Sequence, residues 1–442
     1  MLPRSVVRAA VATALLTSIA VCGAAPSAHG STGSPPPSTS AATATAAAKI
    51  RRTPVVFFPG YGTTRLVVTV TNQRGLPDCP RNGSFEDVFT ISGAAGPFSQ
   101  VCRDKLLTLN YDRSTSRPMP ERFSRPLGVK VGLANFGKVS SAPAYADFFA
   151  RLAATGYQPN RDLRVAGYNF RLTPDMDGFL VRTRNLIEAT YRSNGGQRVR
   201  LVGHSNGSAY AQYLLTHVCP AWKKKYLQGF TTIAGNFPGQ GSFYSKLFIG
   251  MNLSLWPFPT TQANAASSAR LLASSPSTYL TAANPRYFGR GEVVVRDSST
   301  NRSYTPRDFP ALLARMGIGW AQPIADYYLG FVRFAAPRYF PGVDTTAERG
   351  SGLSTPVGLV VPSLASGQVL SVSVDSFLLR TGDGDQEDTT NLAVGVWRRM
   401  PCHRFRLLDN PGVSHSGLPT NEKVVSRLLN DLARRPSTCA AA

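Results

Sequence analysis

The stretch 201–207 has the sequence LVGHSNG and contains the pattern Gly-x-Ser-x-Gly, with Ser205 at its centre. The residues before it, RVRLV, are typical of a short strand, and the residues after it, AYAQYLLTHV, are typical of a helix. In this context the pattern predicts a nucleophile elbow, whose serine hydroxyl projects above a sheet and whose helix N-terminus stabilises developing negative charge. Only glycine is small enough on either side of so sharp a turn. Ser205 is therefore the predicted nucleophile.

The chain has five histidines that could activate such a serine. On folds with this elbow the acid and then the histidine follow the serine along the chain. His29 lies in the N-terminal leader, His204 adjoins the nucleophile and points elsewhere, and His217 lies on the helix that follows it. His403 begins a predicted strand, whereas His415 lies in the glycine-flanked loop NPGVSHSG before the last helix. A loop of this kind suits a catalytic base, so His415 is the predicted base.

The catalytic acid is expected in a loop between the serine and this histidine. The sequence GDGD at 382–385 follows an apolar stretch, and either Asp383 or Asp385 could accept the imidazole N–H. Asp375 and Asp388 are further candidates. The alternative without a catalytic role is an Asp/Gly turn or a weak calcium loop.

The elements that must position these residues alternate between strand and helix. An apolar run at 54–58 ends in Pro-Gly-Tyr-Gly and predicts a buried parallel strand followed by a tight turn. The backbone N–H of Tyr61 in this turn and that of Asn206 are predicted to form the oxyanion hole. The alternation predicts an α/β fold with a mostly parallel central sheet and helices on both faces. Loop-rich residues 236–355, with aromatic residues near Trp320, are predicted to form an inserted cap. Further helices are predicted at 144–155, 179–191, 208–217 and 423–433, and further strands at 163–166, 199–202, 230–234, 369–379 and 403–408.

The ends of the chain differ in composition from its centre. Residues 1–30 combine two arginines with a short apolar run and are predicted to be a secretory signal peptide. Residues 31–49 are a low-complexity linker, residues 50–435 the folded domain, and residues 436–442 a tail. The sequence thus predicts a secreted protein with one or two disulfides. A disulfide between Cys79 and Cys102 would close an early loop. Cys402 and Cys439 flank the last helix and could also pair. Cys219 is the remaining cysteine outside the leader.

The net charge of +23 favours anionic surfaces such as phospholipid headgroups. No basic run is interleaved with aromatic residues and no nucleic-acid motif is present, so nucleic acid is not an expected partner. The cysteine spacings are not those of a metal site. No metal or organic cofactor is implied.

Several segments, in this order, resemble the lecithin:cholesterol acyltransferase and lysosomal phospholipase family, and the match covers most of residues 54–432. The resemblance implies an α/β-hydrolase fold with a disulfide-bounded lid loop at about 79–102. It assigns the acid to Asp385, with Asp383 as the alternative, and the base to His415. The segments are VVFFPGYGTTRL, RDKLLTLNYD, GYQPNRDLRVAGYNFRLTP, WKKKYLQGFTTIAG, TGDGDQEDTTNL and VSHSGL.

This resemblance implies a lipid-ester substrate at a membrane or lipid surface. Ser205 would attack the acyl carbonyl of a phospholipid, and the acyl-serine would pass its acyl group to water or to an alcohol such as a sterol. A triglyceride lipase or general carboxylesterase is the enzymatic alternative. An apparent two-residue insertion after Asp385 motivates a non-enzymatic alternative, a cationic surface-binding protein on a degenerate hydrolase scaffold.

Overall fold

A computed structural model describes residues 52–87, 98–249, 262–330, 337–364 and 376–437. The predicted signal peptide and linker lie outside these ranges, as does most of the predicted tail. The described residues contain fifteen strands and twelve α-helices. The strands are β1 (Val55–Phe58), β2 (Leu66–Val70), β3 (Gly83–Asp87), β4 (Asn110–Tyr111), β5 (Phe123–Ser124), β6 (Val129–Leu133), β7 (Leu163–Val165), β8 (Val199–His204), β9 (Leu227–Ile233), β10 (Val295–Asp297), β11 (Arg302–Tyr304), β12 (Thr345–Ser351), β13 (Leu353–Val361), β14 (Ser376–Gly382) and β15 (Phe405–Pro411). The helices are α1 (Gln100–Leu107), α2 (Ala146–Ala154), α3 (Phe179–Ser193), α4 (Asn206–His217), α5 (Pro220–Tyr226), α6 (Ser242–Ile249), α7 (Gln262–Ser274), α8 (Pro276–Thr281), α9 (Phe309–Arg315), α10 (Gln322–Gly330), α11 (Asp388–Leu392) and α12 (Glu422–Ala433).

A six-stranded sheet in the order β15-β12-β9-β8-β1-β7 forms the centre of the described fold. All neighbouring strands in it are parallel. The strands β1, β8 and β9 are buried at every position, because helices cover both faces of such a sheet. The predicted parallel sheet with helices on both faces is confirmed.

Alternate side chains of β1 pack into two different layers, as the twofold period of a strand requires. Val56 and Phe58 belong to the hydrophobic cluster that includes residues of α3, α4 and α5. Val55 and Phe57 belong to the cluster that includes residues of α2 and α12. The central sheet therefore lies between two helical layers. This packing fixes the positions of the strand ends.

The predicted cap at 236–355 extends too far along the chain. Its last residues form β12, which pairs with β9 on one side and β15 on the other in the central sheet. The sequence of β12, TTAERGS, lacks the apolar run of a buried strand. Its charged residues nevertheless have partners of opposite charge, because Glu348 accepts from Arg427 at 2.8 Å and Arg349 donates to Asp388 at 2.8 Å.

The segment between β9 and β12 contains helices α6 to α10 and the strands β10 and β11. A second sheet, in the order β11-β10-β13-β14, joins this insertion to the strands that follow β12. Residues 250–261, 331–336 and 365–375 lie outside the described ranges, so the predicted strand at 369–379 is described only from Ser376 onward.

The predicted loop between Cys79 and Cys102 is closed by a disulfide. Within this loop, β3 pairs with β2 in a three-stranded sheet that also contains β6, and residues 88–97 are outside the described ranges. Cys219 is also disulfide-bonded. The possible pair of Cys402 with Cys439 involves a residue outside those ranges. None of the described helices has the length and apolar composition that crossing a bilayer requires.

Candidate active site

Ser205 occupies a strained turn between β8 and α4. Its backbone φ is +53° and ψ is −131°, a region that non-glycine residues rarely adopt. A Cβ on Gly203 would come within 2.7 Å of Ser208 Cα, and a Cβ on Gly207 would overlap the carbonyl oxygens of Phe58 and Pro59. The glycines on both sides of Ser205 are therefore required by the close approach of backbone, as a nucleophile elbow demands.

His415 lies in the loop after β15, and its partner is Asp383. The Nδ1 atom of His415 is 2.9 Å from Asp383 Oδ2, and the His415 backbone N–H donates to the Asp383 carbonyl at 2.8 Å. The other carboxylate oxygen of Asp383 accepts the N–H groups of Asp385 at 3.0 Å and Gln386 at 2.7 Å. The Asp383 side chain is fully buried, so these contacts hold it in one orientation.

Asp385, which the family resemblance favours as the acid, has a different partner. Its carboxylate forms an ion pair with Lys246 at 2.6 Å and accepts from Gln240 at 3.1 Å. Its nearest approach to the imidazole is 3.9 Å, to Nε2 of His415 rather than Nδ1. The geometry therefore favours the alternative, Asp383, as the acid, because the GDGD turn places only that carboxylate on Nδ1.

The charges around His415 raise its pKa. Burial by itself lowers the pKa of the imidazole, but the nearby carboxylate and hydrogen bond of Asp383, together with Asp385, outweigh it. Burial raises the pKa of Asp385, but the opposite charges of Lys246 and His415 outweigh burial and bring its pKa well below the usual range. Asp385 is therefore ionised at neutral pH, and it contributes negative charge to the site without binding Nδ1.

The predicted oxyanion donors lie beside the nucleophile. A Cβ added to Gly60 would lie 3.4 Å from Ser205 Cβ, so the turn after β1 approaches the elbow closely. Asn206 is the first residue of α4, where a backbone N–H has no partner within the helix. Tyr61, the next residue after Gly60, lines the same pocket as Ser205. Their role as oxyanion donors remains a prediction.

A pocket of about 450 Å³ contains Ser205, Asp383 and His415. Its volume lies in the range typical of small-molecule sites. Apolar side chains make up much of its wall, namely Phe148, Phe243, Pro356, Phe377 and Pro419. Among the described residues, no group of three histidine, cysteine, aspartate or glutamate side chains is arranged to hold a metal ion.

Two residues of this site were missed by sequence reasoning. Lys246 lies on α6, which comes from the insertion, and no sequence pattern connects it to Asp385. Gln386 lies in the apparent insertion after Asp385, and its Nε2 is 3.5 Å from Ser205 Oγ. The position of Gln386 directly after the GDGD turn was the one available signal in the sequence.

Comparisons with known proteins found a matching family model and several relatives. A family model described as lecithin:cholesterol acyltransferase matches residues 95–302. Lecithin-cholesterol acyltransferase-like 1 of Oryza sativa subsp. japonica is 26% identical over 392 residues, covering 85% of this chain and 86% of that protein.

Further matches include a second relative and a solved structure. Lysosomal phospholipase A and acyltransferase of Bos taurus is 27% identical, covering 68% of this chain and 70% of that protein. A solved structure of the Tle4-Tli4 complex is 13% identical with a TM-score of 0.48, covering 86% of this chain and 97% of that chain. The resemblance seen in the sequence is thus confirmed: the chain is similar to proteins of the lecithin:cholesterol acyltransferase and lysosomal phospholipase family over most of its length.

Proposed function

We propose that the protein is a secreted serine-dependent lipid acyl hydrolase and O-acyltransferase that takes its acyl chain from a phospholipid. The observation that carries the proposal is the buried Asp383–His415 pair in one pocket with a strained Ser205. The relatives support the lipid substrate, since their names include a phospholipase A and acyltransferase and a phosphatidylcholine-sterol acyltransferase.

The proposed reaction begins when His415 Nε2 takes the hydroxyl proton of Ser205. The serine oxygen then bonds to the acyl carbonyl carbon, and the backbone N–H groups of Tyr61 and Asn206 stabilise the oxyanion. Asp383 holds the imidazole in the tautomer with a proton on Nδ1 and stabilises the imidazolium. The imidazolium proton goes to the departing lysophospholipid oxygen, which leaves an acyl-serine.

The second half of the proposed reaction releases the acyl group. His415 deprotonates water or an alcohol, and its oxygen attacks the carbonyl carbon of the acyl-serine. The bond from that carbon to Ser205 Oγ then breaks, the imidazolium returns its proton to Oγ, and a fatty acid or a new ester leaves. The apolar wall of the pocket suits an acyl chain, and exclusion of water from such a wall favours transfer to an alcohol over hydrolysis. The net charge of +23 would hold the enzyme at an anionic lipid surface.

The test supplies purified protein with liposomes of labelled phosphatidylcholine, with and without a sterol or a long-chain alcohol, and separates the lipid products. An acyl ester of the alcohol is expected if the pocket accepts an alcohol, and free fatty acid if water is the acceptor. Ser205→Ala is the control and should give neither. Cleavage of triglyceride or small esters alone would replace the phospholipid proposal with a lipase or carboxylesterase. Vesicle binding without any product would favour the surface-binding alternative.

A further inference from the structure

His204, the last residue of β8, lies between two parts of the site. It is buried directly before the nucleophile, with 5% of its surface exposed. Its Nδ1 is 2.7 Å from the hydroxyl of Tyr145, and its Nε2 is 3.1 Å from the backbone carbonyl oxygen of His415. The side chain thus contacts the loop of the base from one ring nitrogen and a buried tyrosine from the other.

The direction of these hydrogen bonds follows from their chemistry. Burial, together with the neighbouring His415, lowers the pKa of His204 to about 3, so the ring is neutral at working pH and carries one N–H. A carbonyl oxygen only accepts, so Nε2 donates to His415 and Nδ1 accepts from Tyr145. Burial raises the pKa of Tyr145 to about 12, so its hydroxyl keeps the proton that it donates.

The Tyr145 hydroxyl oxygen also accepts the backbone N–H of Gly60 at 2.8 Å. The carbonyl of Gly60 accepts from the Thr63 hydroxyl at 2.7 Å and from the Thr63 N–H at 3.3 Å. Both polar groups of the Gly60 backbone are therefore bound, which fixes the turn containing Tyr61, the proposed oxyanion donor.

We propose that Tyr145 and His204 are positioning residues. They hold the turn that contains Tyr61, called here the oxyanion turn, and the loop that contains His415 at fixed positions relative to Ser205. The hydrogen-bonded series runs from the Gly60 N–H through Tyr145 and His204 to the His415 carbonyl. The inference rests on the proposed function, because it assigns these residues to the alignment of the reaction that Ser205 and His415 perform. Neither residue exchanges a proton with the substrate.

The arrangement has a physical reason. The oxyanion turn follows β1, the base follows β15, and these strands are at different places in the central sheet. The two loops could move independently of each other, whereas the reaction requires the oxyanion donor and the base at fixed distances from Ser205. A buried neutral linkage fixes both without placing a second positive charge beside the imidazolium that forms on His415.

The test compares Tyr145→Phe with a matched control, Tyr157→Phe. Both tyrosines are 6% exposed and belong to the same hydrophobic cluster. Tyr157 donates to the Thr53 carbonyl at 3.0 Å, before the start of β1 and so at the opposite end of that strand. Each substitution removes one tyrosine hydroxyl, which has two hydrogen bonds in Tyr145 and one in Tyr157, and thermal unfolding measures the loss of stability in each variant.

The readouts are kcat and KM for a soluble ester and the rate of Ser205 labelling by a fluorophosphonate. Tyr145→Phe is expected to lower kcat and the labelling rate by about 10- to 100-fold, with KM changed by less than about threefold. Tyr157→Phe is expected to leave all three near the wild-type values. Equal kcat in the two variants would overturn the proposal.

A second variant, His204→Gln, tests whether the two residues act as one unit. Combined with Tyr145→Phe it should lower kcat little further than the stronger single variant, because groups that act together are not additive. Fully multiplicative losses would contradict a shared role. If wild-type protein and Ser205→Ala show the same turnover, the proposed function itself fails; if the wild type is active and Tyr145→Phe matches it, only this inference fails.

Discussion

Asp383 and Asp385 lie two positions apart and bind different partners, the imidazole and Lys246. We expect Asp383→Asn to lower kcat by about 10³- to 10⁴-fold, because an amide stabilises the wrong imidazole tautomer and cannot balance the imidazolium. Asp385→Asn should cost less than about tenfold. Steady-state kcat on a soluble ester at one pH measures both variants, and a larger loss in Asp385→Asn would restore that residue as the acid.

The charges near His415 also predict the pH dependence of the reaction. His415 acts as a base only when neutral, and its pKa is raised, so kcat/KM should fall on the acid side with a midpoint above the ordinary histidine value of about 6.5. Asp385→Asn removes a negative charge that raises this pKa, so the midpoint should move to lower pH. Lys246→Met removes a positive charge that lowers it and should move the midpoint up.

These two opposite shifts are measured from pH profiles of kcat/KM for the wild type and both variants. The two substitutions also break the same ion pair, which is a shared structural effect. Shifts in one direction for both variants would show that the charges themselves do not control the base.

Single residues were predictable where their role fixes the local sequence. Ser205 was predicted from its two glycines and His415 from chain order and elimination, and both residues line one pocket. The acid was not decided by sequence, because two carboxylates in one turn differ only in what the fold places near them. Lys246 reaches Asp385 from a position 139 residues earlier in the chain, and no local pattern contains that contact.

Among the structural elements, the turn between β8 and α4 tolerates little change. Gly207→Ala should destabilise the protein by about 2–4 kcal/mol and abolish activity, because the added methyl group would overlap the backbone of the turn after β1. Gly132→Ala is the control, since a Cβ there meets no atom within 4 Å. Denaturant unfolding measures both variants, and equal stability would mean that the turn is not held as described.

The strands and helices were predictable where burial leaves a pattern in the sequence. The strand β1 is a continuous apolar run, and α12 has buried residues at helical spacing. The central strand β12 was assigned to the cap because its sequence is polar. Its charges are matched by residues from α11, α12 and β15, and such compensation appears only in the folded arrangement.

For the whole molecule, the net charge of +23 predicts salt-dependent binding to anionic lipid. Co-sedimentation with vesicles containing phosphatidylglycerol should exceed that with pure phosphatidylcholine in 0.1 M salt. The difference should largely disappear in 1 M salt, where the screening length falls from about 10 Å to about 3 Å. Equal binding to both vesicles in 0.1 M salt would show that the charge does not select the surface.

The overall architecture was more predictable than its details. The order of strand, elbow, acid and base along the chain, together with six family-like segments, was sufficient for the α/β-hydrolase fold. The second sheet was not predicted, because it combines residues on both sides of β12, and pairing between distant strands depends on the folded chain. The linkage through His204 was missed for the same reason, since it joins residues 211 positions apart.

The central claim is that Ser205 carries the acyl group during turnover. The most direct measurement is mass spectrometry of peptides from protein quenched in acid during turnover of a phosphatidylcholine of defined acyl chains. We predict a peptide containing Ser205 that is heavier by one acyl group, and its absence in Ser205→Ala, which should also lack turnover. An acyl group on another residue, or turnover retained in Ser205→Ala, would contradict the account.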